Sequence, residues 1–192
     1  ISSGWVHDVS TASDWIQGLL KNSLINLDIP VLKNLYKAWQ GSILDRVDYW
    51  NKFLSASRDA FELQEEDRQL GKALARLLVD LDLEEAKPFL KPPYGGFLTL
   101  YSLAAVRWDI SLSDAASGFL WMWAENKVLC AMKLIPLGQT DGQKILSTVI
   151  ETISNEVAQG LDLQDDAIGY SAPGQGIASA LHETQYTRLF RS

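Results

Sequence analysis

Apolar residues recur along this chain at helical spacing almost from end to end. Trp15, Ile16, Leu19 and Leu20 share one stripe, the three-and-four spacing of a helix face. Thr11, followed three residues later by Asp14, has capping-box spacing and is expected to start that helix. Pro30 suits the first turn of a second helix, where a missing N–H has no partner to lose. Leu32, Leu35, Tyr36 and Trp39 lie along one side of it, and Gly41 is expected to end it. A third, short helix is expected to carry Val47, Trp50, Phe53 and Leu54. The fourth runs from about Asp59 to Leu81, with an apolar face through Leu63, Leu70, Leu74, Leu77 and Leu78. Its acids (Asp59, Glu62, Glu65, Glu66, Asp67) come early and its bases (Arg68, Lys72, Arg76) late, the order that the helix dipole favours. No histidine accompanies those acids, so they read as a solvated face rather than a carboxylate site.

Lys87-Pro88, Pro92-Pro93 and Gly95-Gly96 all resist helix, which predicts a loop from Lys87 to Gly96. A helix over about Phe97 to Val106 follows. Ser111 with Asp114 gives the next helix a capping-box start. From Ala115 to Ile135 that helix is apolar nearly all round, which predicts a central helix, about 114–135, enclosed by others. Trp121, Met122 and Trp123 then read as core packing rather than a cofactor box. Pro136 and Gly138 stop it, and Thr140 with Gln143 is expected to cap the following helix reciprocally. Ile145, Leu146, Val149, Ile150 and Ile153 form the buried stripe of that helix. Leu161 to Gly176 reads as a loop, and a short helix around Ile177 to His182 leads into the tail, about 183–192. No strand alternation and no repeat is visible. The expected fold is all-α: one domain over residues 1–192, a single bundle of about seven to nine helices.

Composition narrows the partners. The chain has 192 residues, of which 47% are hydrophobic, too apolar for a largely disordered protein. The net charge is −7, and Lys and Arg are scattered, which argues against nucleic acid and against an anionic membrane. Cys130 is the single cysteine; it lies in an apolar run and is expected to be a buried, inert thiol. With no intrachain disulfide possible, a cytoplasmic location is expected. Charges interrupt every apolar stretch well short of the ~20 residues a membrane-spanning helix needs. The chain begins at Ile1 and is expected to be a piece of a longer product.

The inventory of reactive groups is thin. His7 and His182 are the only histidines and are far apart. Clustered Cys and His for zinc, Glu-x-x-His pairs for di-iron and a phosphate-binding Gly-x-x-x-x-Gly-Lys-Ser/Thr loop are all missing from the sequence. Cys130 with His182 is the one cysteine-based nucleophile–base combination on offer. No catalytic residue, cofactor or metal ligand is therefore assigned. Two segments stand out for other reasons. Pro136 to Gln143 carries Gln139 and Gln143, and reads either as a tight turn capping both helices or as a functional element. The tail from Tyr186 to Ser192 holds Tyr186, Leu189 and Phe190 with Arg188 and Arg191, a composition that suits an interface anchor or a tail docked on its own domain.

These segments carry a resemblance to the urease accessory protein UreF family. Gly4-Trp5-Val6 looks like the family's Gly-x-Val near the front. Ser57 to Gly71 resembles its Glu-Leu-Arg-x-Glu…Gln-Met-Gly helix, with Gln64 and Leu70 in place of the usual Arg and Met. Pro136 to Gln143 reads as Pro-Leu-Gly-Gln-x-x-Gly-Gln, and His182-Glu183, Tyr186 and Arg188-Leu189-Phe190-Arg191-Ser192 resemble the C-terminal signature. The family's front segment, with Pro-Ala-Leu-Pro and Gly-Phe-Ser/Thr-Tyr-Ser motifs, is missing from this sequence.

The resemblance implies a scaffold in urease maturation, not an enzyme. Such proteins dimerise, bind the accessory protein UreD (UreH in some systems), recruit the GTPase UreG and help to insert nickel into apo-urease. It implies partner binding by His182, Glu183, Tyr186, Arg188, Leu189, Phe190 and Arg191, and a polar tunnel lining or turn at Gln139 and Gln143. Two other readings stay open. Arg188 or Arg191 inserted in trans could stimulate the GTPase directly. A small-molecule enzyme would need a deep pocket with converging polar groups.

Overall fold

The structure is a computed structural model and describes residues 4–58 and 60–169. The described residues form seven α-helices and no strand, as the periodicity predicts. They are α1 (Val9–Leu19), α2 (Ile29–Gln40), α3 (Leu44–Ala56), α4 (Phe61–Asp80), α5 (Phe97–Arg107), α6 (Leu112–Leu134) and α7 (Gln139–Asp162). A π-helical stretch, Leu20–Asp28, joins α1 to α2 without a break, and 3-10 turns occupy Glu84–Leu90 and Asp165–Ala167. The expected helix at Ile177 to His182 lies outside the described residues.

The described chain divides into two compact units. One runs up to Lys33 and resumes at Ile110; the other is Asn34–Asp109. In the first, α1, the π-helical stretch, α6 and α7 pack on one another. Ile16, Leu20, Ile25, Ile29, Leu120, Val128, Val149 and Val157 are buried there. In the second, α4 packs on α5 and on the Glu84–Leu90 turn, and α3 meets α5. Trp39 anchors that unit: it is 1% exposed, its indole N–H donates to the Thr99 carbonyl at 2.9 Å, and its ring meets Phe89 edge-on. A buried Trp needs such an acceptor for its one polar atom.

The helix starts depart from expectation in three places, the first being α2, which has no free start at Pro30 because the π-helical stretch runs straight into it. At α1 the N-cap is Asp8, not Thr11: Thr11 N–H donates to Asp8 Oδ1 at 2.8 Å and Asp8 N–H to Thr11 Oγ1 at 3.1 Å. Asp8 and Thr11 have the same spacing as Thr11 and Asp14, so the helix simply gains a turn. At α7 the N-cap is Gly138, which has no side chain to offer, and Thr140 lies inside the helix. Only Ser111 caps as predicted, accepting from Asp114 N–H at 3.1 Å.

Two helices present different faces from those their hydrophobicity suggests. On α4, Leu70 and Leu77 are about half exposed, while Gly71, Ala75 and Leu78 are buried. Small residues at this spacing bring the α4 backbone close to its neighbour. On α6, the C-terminal half buries Ala124, Val128 and Ala131 but leaves Leu129, Cys130 and Leu134 exposed. The helix is therefore not enclosed on every side, and Cys130 is not buried. Trp121, Met122 and Trp123 are half-buried. On α7 the predicted stripe is buried except for Ile150.

The π-helical stretch hands over to α2 at Ile29. Ile29 N–H bonds to the Leu24 carbonyl, five residues back. In that register the next carbonyl, Ile25, faces Pro30, which has no N–H to give. Gly160 of α7 packs over it, so closely that a Cβ there would stand 2.8 Å from the Ile25 oxygen.

Candidate partner-binding surface

The tail residues assigned to partner binding, His182, Glu183, Tyr186, Arg188, Leu189, Phe190 and Arg191, lie outside the described residues. The second predicted segment, Pro136 to Gln143, forms the corner between α6 and α7. Ile135 turns extended at the end of α6, with its N–H on the Ala131 carbonyl at 2.9 Å. Pro136 cannot continue the ladder, and Gly138 opens α7, accepting on its carbonyl the N–H groups of Asp141 and Gly142, each at 3.1 Å. Asp141 in the first turn suits the positive end of the helix.

The corner divides by role. Gly142 is buried, and a Cβ on it would lie 2.6 Å from Met132 Sδ and 3.3 Å from Val128 Cγ1. It lets α7 close on α6. Gln139, Thr140 and Gln143 are exposed. The two glutamines therefore present amide donors and acceptors outward, with no helix end to cap. Leading into the corner along α6 are the exposed Leu129, Cys130 and Leu134, and Pro136 at the corner's start is exposed too. Apolar area beside exposed amide groups is contact chemistry rather than reaction chemistry.

In the other unit the family-like helix α4 is fixed where α5 begins. Asn51 Oδ1 accepts from Gly96 N–H at 2.8 Å and from the Thr99 hydroxyl at 2.7 Å. Asp67 Oδ1 accepts from Phe97 N–H at 3.1 Å. Gly96 is the N-cap of α5 and has no side chain, so α3 and α4 supply the acceptors it lacks. Arg68 forks onto Glu65, and Gln69 donates to the same carboxylate at 2.7 Å. Those hydrogen bonds, Arg68 first and Gln69 next, hold the Glu65 carboxyl down at about 2. The Arg68 and Lys72 cations sit 5.1 and 5.2 Å from the Tyr94 ring centroid. Outward along α4 run Leu70, Leu77 and, just past its end, Leu81, all about half exposed.

Among the described residues, no group of three His, Cys, Asp or Glu side chains comes together in a way that could hold a metal ion. No helix in that range is long and apolar enough to cross a membrane. Sequence reasoning missed Asn51 and Asp67, whose role depends on a helix far along the chain. It placed Gly71 and Gly142 in family-like motifs but did not give their close approaches, nor that of Gly160; the spacing of Gly71 with Ala75 is the one signal that marks such an approach in advance.

Comparison with known proteins fits this picture. The UreF family model matches residues 6–150. The urease accessory protein UreF of Alkalilimnicola ehrlichii is 49% identical over 192 residues, covering 100% of this chain and 84% of its own length. The UreF of Teredinibacter turnerae is 45% identical over 193 residues, covering 100% of this chain and 86% of its own. That of Hahella chejuensis is 42% identical, with 100% and 86% covered.

Proposed function

The chain belongs to the urease accessory protein UreF family, and from that premise we propose that it is a non-catalytic scaffold of urease maturation. It binds a UreD/UreH-like accessory protein, recruits a UreG-like GTPase and so helps to deliver nickel to the urease apoprotein, as a dimer in the cytoplasm. The tail from His182 to Arg191 is the main partner anchor. The corner at Gln139 and Gln143 is a second contact, and its glutamines come to line a nickel passage only where another protein covers them.

The observation that carries this reading is identity of 49% along the whole chain to a urease accessory protein UreF. The exposed corner supports it: the half of the Pro136–Gln143 segment that packing does not need, Gln139 and Gln143, faces outward. So does the thin inventory of reactive groups, since strong His or Cys ligation would trap nickel rather than pass it on.

The test is a pull-down with tagged chain, with and without residues 182–192. Retention of a UreD/UreH-like protein and a UreG-like GTPase by the full chain, and loss of the first on tail deletion, is the expected result. A tight, stoichiometric nickel site on the isolated chain, measured by calorimetry, would contradict the scaffold reading.

A further inference from the structure

α4 carries two apolar sides, and its own unit uses one of them. Gly71, Ala75 and Leu78 form the buried side, where α4 packs on α5 and on the Glu84–Leu90 turn. The larger side chains stand beside it. Leu70 and Leu77 are about half exposed, as is Leu81 just past the helix end, and Leu63 and Leu74 are half-buried. Leu63, Leu70 and Leu77 are spaced by sevens, and so are Leu74 and Leu81. Rows at that spacing form the seam into which a second helix packs. Consecutive helical residues stand about 100° apart, so this seam is turned well away from Gly71 and Leu78. Single exposed leucines need no cover, but a contiguous row of them marks an interaction surface.

Charge along the seam says what covers it. Glu66 stands one turn before Leu70, and Asp80 one turn after Leu77. Both are exposed, and neither has an ion-pair partner among the described residues. Ala73, small and exposed, lies between them on the same row. The cations of the helix lie elsewhere: Arg68 and Lys72 sit over Tyr94, and Arg76 is a row further out. The border of the seam is therefore acidic at both ends. A second copy of this face, laid in either direction, would set acid beside acid, which is unfavourable. A helix with an apolar face and Lys or Arg along one border satisfies both the leucines and the acids.

We infer that the outer side of α4 is a docking site for an amphipathic helix of another protein, one that carries basic residues along one border of its apolar face. Two of those bases stand about 21 Å apart, the span from Glu66 to Asp80 at the helical rise per residue. The site goes beyond the tail and the α6–α7 corner and does not depend on either.

Two synthetic helical peptides test it. They share one leucine face; one is bordered by Lys and the other by Glu. Each is titrated into the full, isotope-labelled chain, and NMR gives both the affinity and the amides that shift. The Lys-bordered peptide is expected to shift amides between Leu63 and Leu81 and to bind about tenfold more tightly than the Glu-bordered one. In Glu66→Gln/Asp80→Gln that preference should disappear. In Leu70→Ser/Leu77→Ser the Lys-bordered peptide should bind at least about tenfold more weakly. Should the serine variant fail to fold, Leu70→Ala/Leu77→Ala takes its place with the same expectation. Equal affinity of the two peptides for the parent chain, shifts centred elsewhere, or full affinity in the leucine variant would each overturn the inference. So would sedimentation in which the parent chain self-associates and the leucine variant is monomeric, since the occupant would then be a second copy. Deletion of residues 182–192 is expected to leave peptide binding unchanged, so failure of the tail as partner anchor is a separate result.

Discussion

Gly71 of α4 and the carbonyl of Gly95 touch so closely that a Cβ on Gly71 would stand 2.0 Å from the Gly95 oxygen and 2.8 Å from the Gly96 carbonyl carbon. Both neighbours are main chain, which cannot swing aside as a side chain can. Gly71→Ala must therefore push α4 away from the start of α5. A loss of about 3 kcal/mol in unfolding free energy is expected, at the upper end for overpacking. Urea unfolding of the purified variant measures it.

Asn51 holds the start of α5 from outside. Asn51→Ala leaves the Gly96 N–H and the Thr99 hydroxyl without the acceptor they share, and Thr99 is 1% exposed. Stranding buried donors costs about 2 kcal/mol. Thr99→Val in the same background should add little, because the hydroxyl has by then lost this acceptor. Denaturation of the two single variants and the double variant checks both statements.

Glu65 gives the chain a pH signature. Its carboxyl titrates at about 2 in the folded protein because Arg68 and then Gln69 bond to the ionised form; in the unfolded chain a Glu titrates at about 4.3. A lowered folded value means the contribution is complete above about 4.3 and is lost as pH falls toward the folded value. NMR titration of the Glu65 carboxyl should show the low midpoint, and Arg68→Met should move it up toward the ordinary range. A midpoint near 4 in the parent protein would contradict the pairing.

Cys130 is exposed on α6. A thiol reagent should therefore modify the native protein at one equivalent, without denaturant and at a rate that mild urea does not raise. Absorbance at the released chromophore follows the reaction. A thiol that reacts only after unfolding would restore the buried reading.

Much of the fold is legible in the sequence because helix faces leave a period that survives in composition. The seven helices, the Ser111 cap and the stops at Gly41 and Pro136 all follow from it. What the pattern does not carry is which side of a helix its neighbour takes. On α4 the greasy residues Leu70 and Leu77 are the visible signal, yet the buried side is Gly71 and Ala75. Close backbone packing rewards the absence of a side chain, and the partner that requires it, Gly95, is remote in sequence. Cys130 fails for a related reason: an apolar run says that a helix has apolar residues all round, not that enough neighbours exist to cover them. The Gln139–Gln143 corner was legible as a motif, but its exposure follows from Gly142 taking the inner side. The hydrogen bond of the buried Lys33 to the Leu163 carbonyl left no sign in the pattern, because its acceptor is a main-chain oxygen 130 residues away.

That α5 takes its front-end acceptors from Asn51 and Asp67 has a bearing on how the chain is made. Both residues leave the ribosome before Gly96 does, so the helices that receive α5 are already synthesised when its first turn emerges. Cut out as a peptide, the same stretch would fray at that end. Within the growing polypeptide it meets a finished seat.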